Sequence, residues 1–224
     1  MFRAVLFDLD NTLLDFVKMK TVCCKASVKA MIEAGLKMGE DEAYKLLIEV
    51  YAPTLYEDDH IFEKFLKKAI GKIDYKLLSA AIVAYRRIVN EVLIPYEGVP
   101  ETLTKLKSKG LILGVVTDAP RIKAWIRLTT AKLSNYFDFM ITLGDSKKRK
   151  PHKTPYNKAL KELKIKSSET LFVGDNPQRD IKGANEVGMI TVLAKYGTFL
   201  PIKDDEKEKP KYVINKFEEL LKIV

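Results

Sequence analysis

Residues 2–13, Phe2-Arg3-Ala4-Val5-Leu6-Phe7-Asp8-Leu9-Asp10-Asn11-Thr12-Leu13, decide how the rest of this chain is read. An apolar run of strand length ends abruptly in two carboxylates, one residue apart. Residues i and i+2 of a strand share a face, so Asp8 and Asp10 start out on the same side before the chain turns. Two carboxylates that close repel, and a site tolerates them with a cation or a shared proton.

Four more short apolar or β-branched runs follow, at 112–117, 138–142, 170–174 and 189–194. Helical patterns separate them. One covers 99–109, with Pro100 in its first turn and Gly110 at its stop. Another opens at Thr154-Pro155 and continues to Leu163, and a third covers 178–187 and stops at Gly188. Asn215 with Glu218 forms a capping-box pattern for a last helix. Strands alternating with helices predict an α/β fold, a doubly wound parallel sheet of Rossmann-like type.

Residues 16–95 have a different texture. They read as four helices near 17–34, 40–51, 60–70 and 75–91, with Gly35, Gly39, Pro53 and Gly71 as breaks. A single βαβ crossover needs only about a dozen residues, so this block is expected to be an inserted helical bundle. The domain expectation is a Rossmann-like core of residues 1–15 and 96–224, with 16–95 as a helical insert after the first strand. Leaving from that strand's C-terminal end, the insert is expected to stand over it, where open α/β sheets bind ligands.

The other strand ends carry complementary groups. Leu171-Phe172-Val173-Gly174-Asp175 is a second apolar strand ending in a carboxylate, with Asp180 five residues on. Carboxylates at two parallel strand ends can converge on a hard cation such as Mg²⁺, which takes oxygen ligands and keeps waters or phosphate oxygens. Asp8 and Asp175 offer side-chain oxygens, and a turn carbonyl offers another. Val116-Thr117-Asp118 brings a hydroxyl and backbone N–H groups suited to phosphate oxygens. Lys150, in the loop after 138–142, offers a point charge for a phosphoryl group.

Together these segments resemble the haloacid dehalogenase-like hydrolases, in the branch with a helical cap between the first two motifs. The D-x-D-x-T motif is Asp8, Asp10 and Thr12; the second-motif threonine is Thr117; the third-motif lysine is Lys150. The G-D-x-x-x-x-D motif is Gly174, Asp175 and Asp180. Asn11 stands where glycine is common, and asparagine also tolerates tight turns. The resemblance implies a Mg²⁺-dependent phosphatase of a small phosphorylated metabolite, such as a sugar phosphate, triose phosphate or phosphoglycolate-like ester. Asp8 is then the nucleophile, carrying an aspartyl-phosphate, and Asp10 the general acid and base. Thr117, Asp118 and Lys150 bind the substrate phosphate. Asp8, Asp10 and Asp175 serve the metal, with Thr12 and Asp180 behind them. Members that cleave carbon–halogen bonds lack an acid at the position of Asp10, so phosphoryl chemistry is expected. A phosphomutase on the same scaffold is the main alternative, and a non-enzymatic nucleic-acid-binding protein the weaker one.

Net charge is +9, yet residues 16–97 hold 13 basic against 12 acidic side chains. The excess therefore lies outside the insert, and it is densest at Lys147-Lys148-Arg149-Lys150-Pro151-His152-Lys153. Such runs are usually solvated loops, and no interleaved aromatic–basic motif accompanies this one, so no nucleic-acid partner is expected. The 31% charged residues, with lysine over arginine and Gln178 as the sole glutamine, resemble hyperthermophile composition. No apolar run approaches the ~20 residues of a membrane helix, and the chain runs from Met1 straight into a strand; a soluble cytoplasmic protein is expected. Adjacent Cys23 and Cys24 diverge on a helix and are expected to stay unbridged. His60, His152, Asp15, Phe16, Lys18 and Trp125 are weaker candidates, read first as surface, loop, entry or packing residues. Oligomeric state is left open, a homodimer included.

Overall fold

In a computed structural model, which describes residues 1–54, 57–198 and 205–224, the chain divides into two compact units. One is Met1–Asp15 with Ile94–Val224, and the other is Phe16–Leu93.

The first unit is built on six parallel strands in the order β3-β2-β1-β4-β5-β6. The first strand, β1 (Ala4–Phe7), is central, pairing β2 (Ile112–Val116) on one side and β4 (Thr170–Gly174) on the other. Beyond them lie β3 (Phe139–Ile141), β5 (Ile190–Ala194) and β6 (Tyr212–Ile214). Side chains of β1 alternate between the faces, and every one is fully buried. Ala4 and Leu6 join a cluster with Tyr156, Ala159, Phe172 and Ala184. Phe7 faces the other way, its ring 6.1 Å from Phe137 and 5.7 Å from Phe217. A sheet apolar on both faces needs cover on both, as a doubly wound fold supplies.

The second unit is all helix: α1 (Phe16–Glu33), α2 (Glu40–Tyr51), α3 (Ile61–Ile70) and α4 (Tyr75–Val92). Its core includes Val28, Met31, Leu47, Phe65 and Leu66. Asp74 caps α4 by accepting from the N–H groups of Lys76 (2.9 Å) and Leu77 (3.2 Å). Cys23 and Cys24 are both free and buried in α1, as expected of adjacent helical positions. Lys20 is buried as well. Its Nζ donates to the hydroxyls of Tyr51 and Tyr85, each at 2.8 Å, and lies 4.8–5.3 Å from the ring centroids of Phe16, Tyr51 and Tyr85.

In the first unit the helices are α5 (Val99–Ser108), α6 (Arg121–Thr130), α7 (Leu143–Ser146), α8 (Lys153–Leu163) and α9 (Lys182–Glu186). A wide π-helical turn over Pro177–Ile181 leads into α9, where the sequence pattern gives one helix from 178. Two expectations at the C-terminus need correction. β6 is a strand that no periodicity announces, because it has three residues and two are exposed. The last helix is a 3₁₀ helix, Phe217–Lys222, without the Asn215–Glu218 capping box. Glu219, one residue further on, reaches the Asn215 N–H instead, at 2.8 Å.

Candidate active site

Asp8 begins where β1 stops. Its N–H still donates to the Val173 carbonyl at 2.9 Å, which fixes it beside the end of β4. The chain then turns tightly, with Asn11 in the left-handed region at φ 61° and its N–H donating to the Leu14 carbonyl at 2.8 Å. Thr12 is fully buried in this turn, and its carbonyl accepts from the Tyr196 hydroxyl at 2.8 Å. Gly197 comes so close that a Cβ there would collide with the Asn11 carbonyl oxygen.

At the end of β4, Asp175 is buried and Asp180 completely so. The Asn176 side chain accepts from the N–H groups of Gln178 and Arg179, while its own N–H donates to Asp180 Oδ2 at 3.0 Å. Asp180 is thereby folded back against Gly174, where a Cβ would overlap it. This contact supplies a physical reason for glycine before the carboxylate of β4.

Lys150 joins the two strand ends. Its Nζ lies 2.6 Å from Asp8 Oδ1 and 2.6 Å from Asp180 Oδ1, with all three residues buried. Asp118 holds the lysine from behind, accepting from its backbone N–H at 3.0 Å. Thr117, at the end of β2, is buried, and its hydroxyl accepts from the Ala119 N–H at 3.1 Å. One oxygen each of Asp8, Asp175 and Asp180 lies within 4.8 Å of the others. Asp10 lies outside that group, its Oδ2 2.6 Å from Arg127 Nη1.

Burial dominates the titration of these groups. It pushes Asp8 up to about 6, against the pull of Lys150 and with the push of Asp180. Asp175 is raised well above the usual carboxylate range by burial, then by the charges of Asp180 and Asp8. Burial also acts upward on Asp180, but Lys150 and Arg179 outweigh it and hold that carboxyl low. For Lys150 and Arg179, burial opposes the charge, while the surrounding carboxylates more than restore it. Asp8 Oδ2 and Asp175 Oδ1 are buried without a hydrogen-bond partner among the described residues. Orphaned carboxylate oxygens in an all-oxygen group fit a hard divalent cation.

Residues 5–194 match the family model described as haloacid dehalogenase-like hydrolase. The chain belongs to this family. Among its relatives is the glyceraldehyde 3-phosphate phosphatase of Methanocaldococcus jannaschii, 36% identical over 224 residues, covering 100% of this chain and 97% of that one. Another protein of the same name, from Pyrococcus furiosus, is 32% identical over 222 residues, covering 99% and 92%. A solved HAD phosphatase from Thermococcus onnurineus superposes with a TM-score of 0.69 at 26% identity, covering 99% of this chain and 97% of that one.

Two residues of this haloacid dehalogenase-like site escape the sequence motifs, Arg127 and Arg179. Arg127 is buried on α6 and meets Asp10 from far along the chain. Arg179 stands immediately before Asp180, with Nη2 3.8 Å from Asp8 Oδ2. A guanidinium inside a carboxylate motif was a signal open to reading. Within the basic run only Lys150 is buried, and Lys147, Lys148 and Arg149 are exposed. His152 caps α8, its Nδ1 accepting from the Thr154 N–H at 3.2 Å. His60 is exposed at the start of α3, 3.3 Å from Glu63, and Trp125 lies partly exposed on α6. No described helix is long and apolar enough to cross a membrane.

Proposed function

We propose that this chain is a Mg²⁺-dependent phosphatase that hydrolyses a small phosphorylated metabolite through an aspartyl-phosphate on Asp8. The observation that carries this reading is the bridge from Lys150 to Asp8 and Asp180, with further carboxylate oxygens left over at the ends of two adjacent strands. Phosphate monoesters hydrolyse so slowly that enzymes accelerate them by up to ~10²¹-fold, and a carboxylate nucleophile must also approach a dianion. Asp8 attacks phosphorus in line, and water later cleaves the acyl phosphate. Lys150 and Thr117 offset the charge on the phosphoryl oxygens.

Asp10, held by Arg127, protonates the leaving oxygen and then takes a proton from the attacking water. Asp8, Asp10 and Asp175 would hold the metal, and Asp180 braces Lys150. The bound Mg²⁺ would neutralise phosphoryl charge as a Lewis acid. Asp118 sets the position of Lys150 and offers its N–H to phosphate, and Thr12 supports the turn from behind. Met1–Asp15 with Ile94–Val224 is the catalytic core, and Phe16–Leu93 is the inserted helical cap. The names of the relatives make glyceraldehyde 3-phosphate the first substrate to try.

The test is phosphate release from p-nitrophenyl phosphate and glyceraldehyde 3-phosphate, with and without Mg²⁺, for wild type and Asp8→Asn. Release that needs Mg²⁺ and disappears in Asp8→Asn is expected. Release that survives the substitution removes Asp8 as nucleophile.

A further inference from the structure

Arg179 is positioned with more care than a surface arginine requires. Its N–H donates to Asn176 Oδ1 at 3.0 Å, and its carbonyl accepts from the Tyr156 hydroxyl at 2.7 Å, so its backbone is clamped from both sides. The side chain is about two-thirds buried, and its Nη2 points toward Asp8 at 3.8 Å, too far for a hydrogen bond. Its Nε is buried and has no hydrogen-bond partner among the described residues. A buried donor left unsatisfied costs free energy, so a nearby acceptor is wanted.

Charge identifies that acceptor. In their ionised forms, Asp8, Asp118, Asp175 and Asp180 set four carboxylates against two cations, Lys150 and Arg179. A divalent ion brings that deficit of two to neutrality. Without Arg179 the same site would stay negative, and a phosphate dianion would be repelled. A guanidinium also presents its donors as a planar fork that matches phosphate oxygens.

We infer that Arg179 is a phosphate-binding residue, donating from its guanidinium to the non-bridging oxygens of the group that docks against Asp8. Its ligands are phosphate monoesters and the inorganic phosphate they release. This rests on the phosphatase reading and adds to it a second cation, at an unspecified position within the G-D-x-x-x-x-D motif.

The experiment is calorimetric titration of inorganic phosphate into the Mg²⁺-loaded protein and into its Arg179→Gln variant, with Mg²⁺ affinity measured in parallel. Phosphate affinity should fall by about ten- to a hundredfold, the range for a hydrogen bond to a charged group. Mg²⁺ affinity should hold or tighten, because a neighbouring cation has been removed. Unchanged phosphate affinity overturns the assignment. So does a loss matched by an equal loss of Mg²⁺ affinity, which would make Arg179 a brace for the carboxylates. Arg179→Lys keeps the charge without the fork; it should give an intermediate loss, and it stands in if the glutamine variant does not fold. A wild type that hydrolyses no phosphate ester with Mg²⁺ overturns the phosphatase reading and this inference together. An active wild type with a normally binding Arg179→Gln removes only the inference.

Discussion

Lys150 and Lys20 are the two buried lysines among the described residues, one in each compact unit. Lys150 has Asp8 and Asp180 at 2.6 Å. Around Lys20 stand the hydroxyls of Tyr51 and Tyr85 and three aromatic rings. The first is a charge locked among opposite charges, where loss of one partner strands the others in low dielectric. The second donates its ammonium to phenolic oxygens and lies against π faces, contacts that leave no carboxylate of this group stranded when one of them is lost. Burial of a cation is thus no guide to its importance; what surrounds it is.

That contrast can be attacked directly, beginning with the largest effect. Lys150→Met should abolish turnover and lower stability by about 3–5 kcal/mol, the cost of breaking a buried ion pair. Activity assays and urea unfolding would check both. Asp180→Asn leaves Lys150 with Asp8, and should cost about 2 kcal/mol, close to one hydrogen bond to a charged group. Lys20→Met keeps most of the side-chain volume and removes the charge with its contacts, for an expected loss of about 1–2 kcal/mol. If Lys20→Met proved as damaging as Lys150→Met in the same urea series, the distinction between the two environments would collapse. Tyr51→Phe sharpens the comparison furthest. It retains the ring and deletes one hydroxyl, so about 1 kcal/mol should suffice. A larger loss would mean that the hydroxyl, and not the aromatic face, carries the Lys20 site.

The same two lysines mark how far the sequence can be read. Lys150 was legible because it belongs to an ordered set of motifs, each short enough to be seen locally at a strand end. Its geometry was not, since the contact with Asp8 spans 142 positions. Lys20 had a weaker sign: it lies four residues from Phe16 and four from Cys24, on the face of α1 that turns inward. Arg127 gave none, because nothing near it in sequence reveals that α6 brings it to Asp10. Alternation and helix breaks marked the five longer runs, which stand close to β1 through β5. β6 escaped because its apolar run, Tyr212-Val213-Ile214, is closed at once by Lys211 and Asn215, whereas Phe139-Met140-Ile141 continues into Thr142 and Leu143.

The central place of β1 carries a consequence for how this molecule is made. Ala4 takes one neighbour at Ile112 and the other at Thr170, so the strand that bears Asp8 leaves the ribosome long before either partner exists. The helices of Phe16–Leu93 find their contacts among themselves and can form early. The group around Asp8 therefore cannot assemble until residues through Asp180 have emerged. Until β4 arrives, Asp8 lacks the Val173 carbonyl that fixes its backbone and the two carboxylates that crowd its side chain.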